Sequence, residues 1–290
     1  TVSCIFRDLV IVGNAQGIEF NGALGSGAHT IAGCKIGTDG TLDLGNDGAG
    51  IFMSDSTGNT IGGLNPEDRN IISGNGTVGI FIRSPSVGAT GNKIFNNIIG
   101  MSEDGLTRIG NADYGVELSP GGTGTIFSTL IGSVDGVDGG NLISGNGLAN
   151  IFLTGSTVSS TIIRANKIGT DINGDVAVPA GGGSIGILIN SVILQTQIGG
   201  ESEADGNLIS GNDQQGISIS DSRNVTILGN LIGVNHSGDS PLPNGSHGIQ
   251  ISASAADSRF NVIGGSAAGA NVIAFNGGFA VLLQGSGSIP

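Results

Sequence analysis

Carboxylates are the groups most able to do chemistry in this chain, and they are unevenly spread. One set comprises Asp39, Asp43, Asp47, Glu103, Asp104, Asp113, Asp171, Asp175 and Asp239. A second comprises Glu67, Asp68, Asp135, Asp138, Glu201, Glu203 and Asp205. Together they hold most of the 23 acids. Asp171-x-Asn173-x-Asp175 has the alternating oxygen spacing that opens many Ca²⁺ loops, although no EF-hand glutamate follows. Asp39 aligns with Asp171, and Asp43 and Asp47 could complete a similar site. The simpler reading is that aspartate favours solvated turns. Asp55, Arg83 and Glu117 form a candidate acid–base group, with scattered surface ion pairs as the alternative. His236 and His247 share one loop and could form a metal pair, whereas His29 is remote in sequence.

The elements that must position these groups follow from a repeat. One phrase runs Asn70-Ile-Ile-Ser-Gly-Asn75 and returns from Asn141, Asn207 and Asn271. A second, ending Ile-Gly, starts at Lys35, Ile98, Lys167 and Leu231. A third, Gly-Ile-x-Ile or a close variant, starts at Gly17, Gly50, Gly79, Gly115, Asn150, Gly186, Gly216, Gly248 and Ala280. Those starts lie 29 to 36 residues apart, with three short β-branched segments between each pair. Such segments are too short to stand alone and read as strands joined by tight turns. Three strands per coil, pairing in parallel with the next coil, predict a three-faced β-solenoid of about nine coils. The residue after each start would stack inward, from Ile18 and Ile51 through to Val281.

Two kinds of coil alternate. Long loops at 38–49, 101–114, 170–185 and 234–247 follow the third strand. Others, at 64–69, 133–140, 200–206 and 265–270, follow the second. Each family should project along one edge, carrying the acids with it. Asn75, Asn97, Asn146, Asn166, Asn212 and Asn230 fall at matching turns and read as stacked ladders. Beside the inward column, Phe52, Phe81, Phe152 and Leu188 point outward with Glu117 among them. An apolar row of this kind suggests a covering loop or an interface. Sugar stacking is disfavoured, because phenylalanine lacks a polar edge.

Composition narrows the function classes. A net charge of −13 repels nucleic acid and anionic lipid. Only 11% of residues are charged, so the surface is mainly hydroxyl, amide and glycine, suited to water, sugars or hydrated ions. No apolar run is long enough to span a membrane as a helix. Cys4 and Cys34 stand about one coil apart. They read either as a disulfide, implying an oxidising compartment, or as two buried free thiols. Asn75, Asn224, Asn235 and Asn244 head Asn-x-Ser/Thr triplets. Both ends read as cuts through a repeating structure or as mature ends capped elsewhere, with an exported precursor expected. Residues 1–290 are taken as one domain.

The Gly-Ile-x-Ile and Asn-x-Ile-x-Gly-Asn phrasing resembles the parallel β-helix repeats of the pectate-lyase-like superfamily. It is most similar to repetitive segments of bacterial extracellular proteins. The resemblance covers the whole chain and implies a right-handed, single-stranded, all-β helix, secreted or on the cell surface. It leaves activity open, since that fold hosts lyases, hydrolases, epimerases, adhesins and phage spikes. Lyases of this kind use Ca²⁺-binding acids and a basic residue, and the hydrolases use grouped aspartates. The Asp-Pro-His-Glu phrase of alginate epimerases is absent. Regular coils without a dense catalytic cluster favour a non-catalytic module: a rigid spacer, adhesive surface or filament block, self-associating or bound to polysaccharide. The alternative is a polysaccharide lyase, hydrolase or epimerase.

Overall fold

The computed structural model describes residues 2–22, 27–133, 139–181, 183–254 and 258–285. Asp135 and Asp138 lie outside the described residues. The chain winds as a right-handed parallel β-solenoid with three walls of nine strands each. The first wall runs from Ile5–Arg7 to Val262–Ile263. The second runs from Val10–Ile11 to Val272–Ile273, and the third from Ile18–Asn21 to Val281–Gly285. A short fourth strip of Ala89–Thr90, Ile126–Phe127 and Val158–Ser159 widens the middle coils.

Pairing is parallel throughout these walls, with the inward column in unbroken register. On the third wall Ile18 pairs with Ile51, Ile51 with Ile80, and so on through Val116, Ile151, Ile187, Ile217 and Ile249 to Val281. From Ile51 to Ile249 these side chains are fully buried. Successive strand residues face opposite sides, so stacking one branched side chain per coil fills the tube and leaves the alternate residues outside. At ~4.8 Å per coil the rod is on the order of 40 Å long.

Asparagines close the corners in two ladders rather than one. Asn70, Asn97, Asn141, Asn166, Asn207, Asn230 and Asn271 join the first wall to the second. Asn14, Asn46, Asn75, Asn111, Asn146, Asn150, Asn212, Asn244 and Asn276 line the turn into the third. The six expected ladder residues therefore divide equally between two corners. A typical rung, Asn97, gives one amide hydrogen to Oδ1 of Asn141 at 3.0 Å and another to the Ile61 carbonyl. Its Oδ1 accepts from Asn70. Such an amide is satisfied while buried, and that offsets the cost of desolvating it.

The long loops after the second wall do more than project. Glu103 N–H donates to Gly40, Ile172 to Gly105 and His236 to Gly174, so successive loops bond along their edge. They fold over outward residues of the second wall and form a second apolar cluster of Ile71, Ile98, Met101, Leu142 and Val178, flanked by Ile172. In the other family, Asp68 turns back to Arg7 at 2.8 Å and Asp205 to Arg164 at 3.4 Å. Those two carboxylates brace the wall instead of lining a projecting edge.

Candidate active site

The outer face of the third wall carries two columns. Strand alternation and register stack Glu19, Phe52, Phe81, Glu117, Phe152, Leu188, Ser218, Gln250 and Leu282 in one. Two residues further along lie Ser54, Arg83, Ser119, Thr154, Asn190, Ser220 and Ser252. The phenylalanines face outward as the sequence implies, but they are half-buried and paired. Phe52 meets Phe81 edge-on at 5.3 Å, and Phe152 stacks on Tyr114 at 4.6 Å. Leu188 continues the column in the next coil, also half-buried.

Glu117 sits between these pairs, in register with Phe81 on one side and Phe152 on the other. Burial among the rings pushes its carboxyl up to about 7, and the charge of Asp113 adds to the rise. Water solvates a carboxylate far better than phenyl rings do, so the neutral acid gains population. Tyr114 is the chain's only tyrosine. Burial, together with Glu117 and Asp113, raises its phenol above the usual value. It supplies the polar-edged ring that the phenylalanines lack. An acid balanced near neutrality can both give and take a proton.

The rest of the expected acid–base group does not assemble. Asp55 is buried with positive φ and accepts five hydrogen bonds from the following coil. Burial alone would raise its pKa. The N–H groups of Gly88 and Val87 and the hydroxyls of Ser86 and Ser84 outweigh that and hold it at about 2. It is a structural anion pinning the 84–88 turn. Arg83 makes no ion pair with Asp55 or Glu117 among the described residues. Its guanidinium lies over Gly121, where a Cβ would come within 2.5 Å of Nε. Asp55, Arg83 and Glu117 thus separate into a clamp, a cation apart from both acids and a perturbed acid.

The Ca²⁺ candidates are occupied by their own turns. Asp171 Oδ1 accepts from the N–H groups of Gly174, Asp175 and Val176, and Oδ2 from Asn173. Asp39 Oδ1 takes N–H groups of Thr41 and Leu42 and the Thr41 hydroxyl, and Asp43 Oδ1 takes Gly45 N–H. Among the described residues no three His, Cys, Asp or Glu side chains gather as a cation would require. Aspartates that accept N–H groups in this way close their own turns. Asp39, Asp43, Asp171 and Asn173 use their side chains in turns, whereas Asp47 and Asp175 contribute backbone N–H groups. His247 accepts from Phe279 N–H through Nδ1, while His236 lies in a separate groove.

Cys4 and Cys34 are free thiols, one exposed and one buried. Ile5 pairs with Thr30, so the first coil is shorter than the cysteine spacing and Cys4 falls beside His29. Cys34 lies beyond the far end of that strand, heading an asparagine ladder by donating its N–H to Asn70. Two Asn-x-Ser/Thr sites, Asn75 and Asn244, are buried ladder rungs closed to glycosylation.

No family model matches the chain, and no curated protein matches it in sequence. Solved structures share its fold. The A-module of the Azotobacter vinelandii mannuronan C-5 epimerase AlgE4 is 16% identical, over 97% of this chain and 69% of that one, at a TM-score of 0.50. One mutant of the periplasmic alginate epimerase AlgG is 13% identical, over 93% of this chain and 55% of its own, also at 0.50. A second AlgG mutant is 13% identical over 89% of this chain, at 0.48; this chain spans 51% of its length. The fold is therefore the right-handed parallel β-helix that the AlgE4 A-module and AlgG also adopt.

Proposed function

We propose that the chain is a polysaccharide-active enzyme, with Glu117 as its proton-transferring group. The observation that carries this reading is one carboxyl raised to about 7 between Phe81 and Phe152 on the outer face of a solenoid. A spacer or adhesive surface needs only the walls and ladders, and nothing in that role calls for an acid buried among rings. The fold shared with two epimerases described as acting on mannuronan or alginate supports a carbohydrate ligand. A secreted or periplasmic setting, where such polymers lie, accompanies this reading.

The test is turnover on a panel of neutral and uronate polysaccharides, with and without Ca²⁺. Reducing ends, unsaturated products and epimerised units should be followed for the chain and for Glu117→Gln. The expected result is product from at least one polymer, lowered about 100-fold or more by the substitution. No product from any polymer, or equal turnover by the variant, would contradict the proposal.

A further inference from the structure

The geometry points to an uncharged polysaccharide as the polymer laid along the third wall, and hence to hydrolysis as the reaction. This inference rests on the enzymatic reading above. The wall presents an apolar column, Phe52, Phe81, Phe152 and Leu188, beside a column of hydroxyls and one amide, Ser54, Ser119, Thr154, Asn190 and Ser220. A sugar ring has an apolar face and a hydroxylated rim, and the two columns match that division. The second supplies the polar edge whose lack in phenylalanine disfavoured sugar stacking in the sequence. Among the described residues Arg83 is the one cation in either column. Glu117 lies in the other column with Asp113 near it, on a chain of net charge −13.

A uronate polymer repeats an anion along its length and requires a matching row of cations. This wall offers a single one. Each added anion near Glu117 would also raise its pKa further, fixing it in the protonated form and removing its use as a base.

The chemistry follows from the substrate. β-Elimination and C5 epimerisation both remove a proton made acidic by an adjacent uronate carboxylate. An uncharged sugar has no such proton, so the reaction left for a single balanced acid is addition of water. The C1–O bond breaks and Glu117 gives its proton to the departing oxygen. Water places its hydroxyl on the anomeric carbon, and its remaining proton restores Glu117 through solvent.

The experiment is binding of the full chain to xyloglucan and glucomannan on one side, and polygalacturonate and alginate on the other, at low and high salt. Neutral polymers should bind with an affinity that salt leaves unchanged. Phe81→Ala and Phe152→Ala, each checked for folding by circular dichroism, should each weaken it about fivefold. Preferential binding of polygalacturonate or alginate, lost at high salt and in Arg83→Gln, would overturn the substrate class while leaving the role of Glu117 standing. Absence of turnover on every polymer of both kinds would overturn the enzymatic reading and this inference with it.

Discussion

Asn150 donates its side-chain amide to Oδ1 of Asn212 at 2.9 Å, spanning the place where Ala180 leaves one coil without an amide. In most other coils the residue at the position of Asn150 is glycine, for a steric reason. A Cβ on Gly50, Gly115 or Gly216 would stand 2.7, 2.8 or 2.9 Å from the ladder nitrogen of Asn75, Asn146 or Asn244. Where Ala180 replaces the ladder asparagine, that space opens, and Asn150 both fills it and carries the rung. Asn150→Gly should therefore lower the unfolding free energy by about 1–3 kcal/mol, the cost of unpairing buried amides. Adding Ala180→Asn to that variant should restore most of the loss. Denaturant midpoints of the two singles and the double check this, and simple additivity would contradict it.

Glu117 makes stability depend on pH in a known direction. Its folded pKa of about 7 lies above the ordinary 4.5. The folded state then binds more protons between those values. Its contribution is fully present below pH 4.5 and is lost as pH rises through 7. Because solvent still reaches part of the side chain and screens it, the total is on the order of 2 kcal/mol. Buried His29, with a lowered pKa, works in the opposite sense as pH falls. Subtracting the Glu117→Gln curve from that of the parent isolates the carboxyl. The difference should slope downward from about pH 5 to about pH 8, and a flat difference would refute the raised pKa.

Asp55 predicts acid sensitivity. Its pKa of about 2 lies below the ordinary 3.8, so its stabilisation is present above pH 3.8 and is lost as pH falls through 2. Asp55→Ala orphans the Ser86, Val87 and Gly88 N–H groups and should cost about 3 kcal/mol. Hydrogen exchange should show the loss first at residues 86–88; unchanged protection there would contradict the clamp.

Thiol reagent should modify one cysteine per native chain. Cys4 is exposed, while Cys34 is fully buried and burial pushes its thiol pKa up. Denaturant should expose the second. No reaction in the native state, reversed by reductant, would instead indicate a bridge.

Chelation provides a check on the turns. Because Asp39 and Asp171 already hold N–H donors, EDTA should leave the melting temperature unchanged and added Ca²⁺ should not raise it. A Ca²⁺-dependent rise would show that the loops rearrange to free their oxygens.

Much of the fold was legible in the residues. Gly-Ile-x-Ile starts forecast the Ile18–Val281 column because strand alternation and coil stacking are local rules repeated without exception. The outward position of Phe52, Phe81 and Phe152 followed from the same rules. Variable coil length was harder to read. It defeated the Cys4–Cys34 alignment and merged two asparagine ladders, since register depends on where each turn closes. The second apolar cluster escaped because Met101 and Val178 reach Ile98 and Leu142 only after the loops fold back. In the site, Glu117 was visible as a residue, whereas its raised pKa depends on its burial and on the charge of Asp113, which no spacing announces.

A carbon-13 titration of the glutamate side-chain carboxyls, assigned by comparison with Glu117→Gln, tests the central claim most directly. One carboxyl, absent from the variant, should titrate at about 7. If the signal lost in the variant titrates with the ordinary glutamates near 4.5, the wall holds no acid tuned for proton transfer, and the functional account fails.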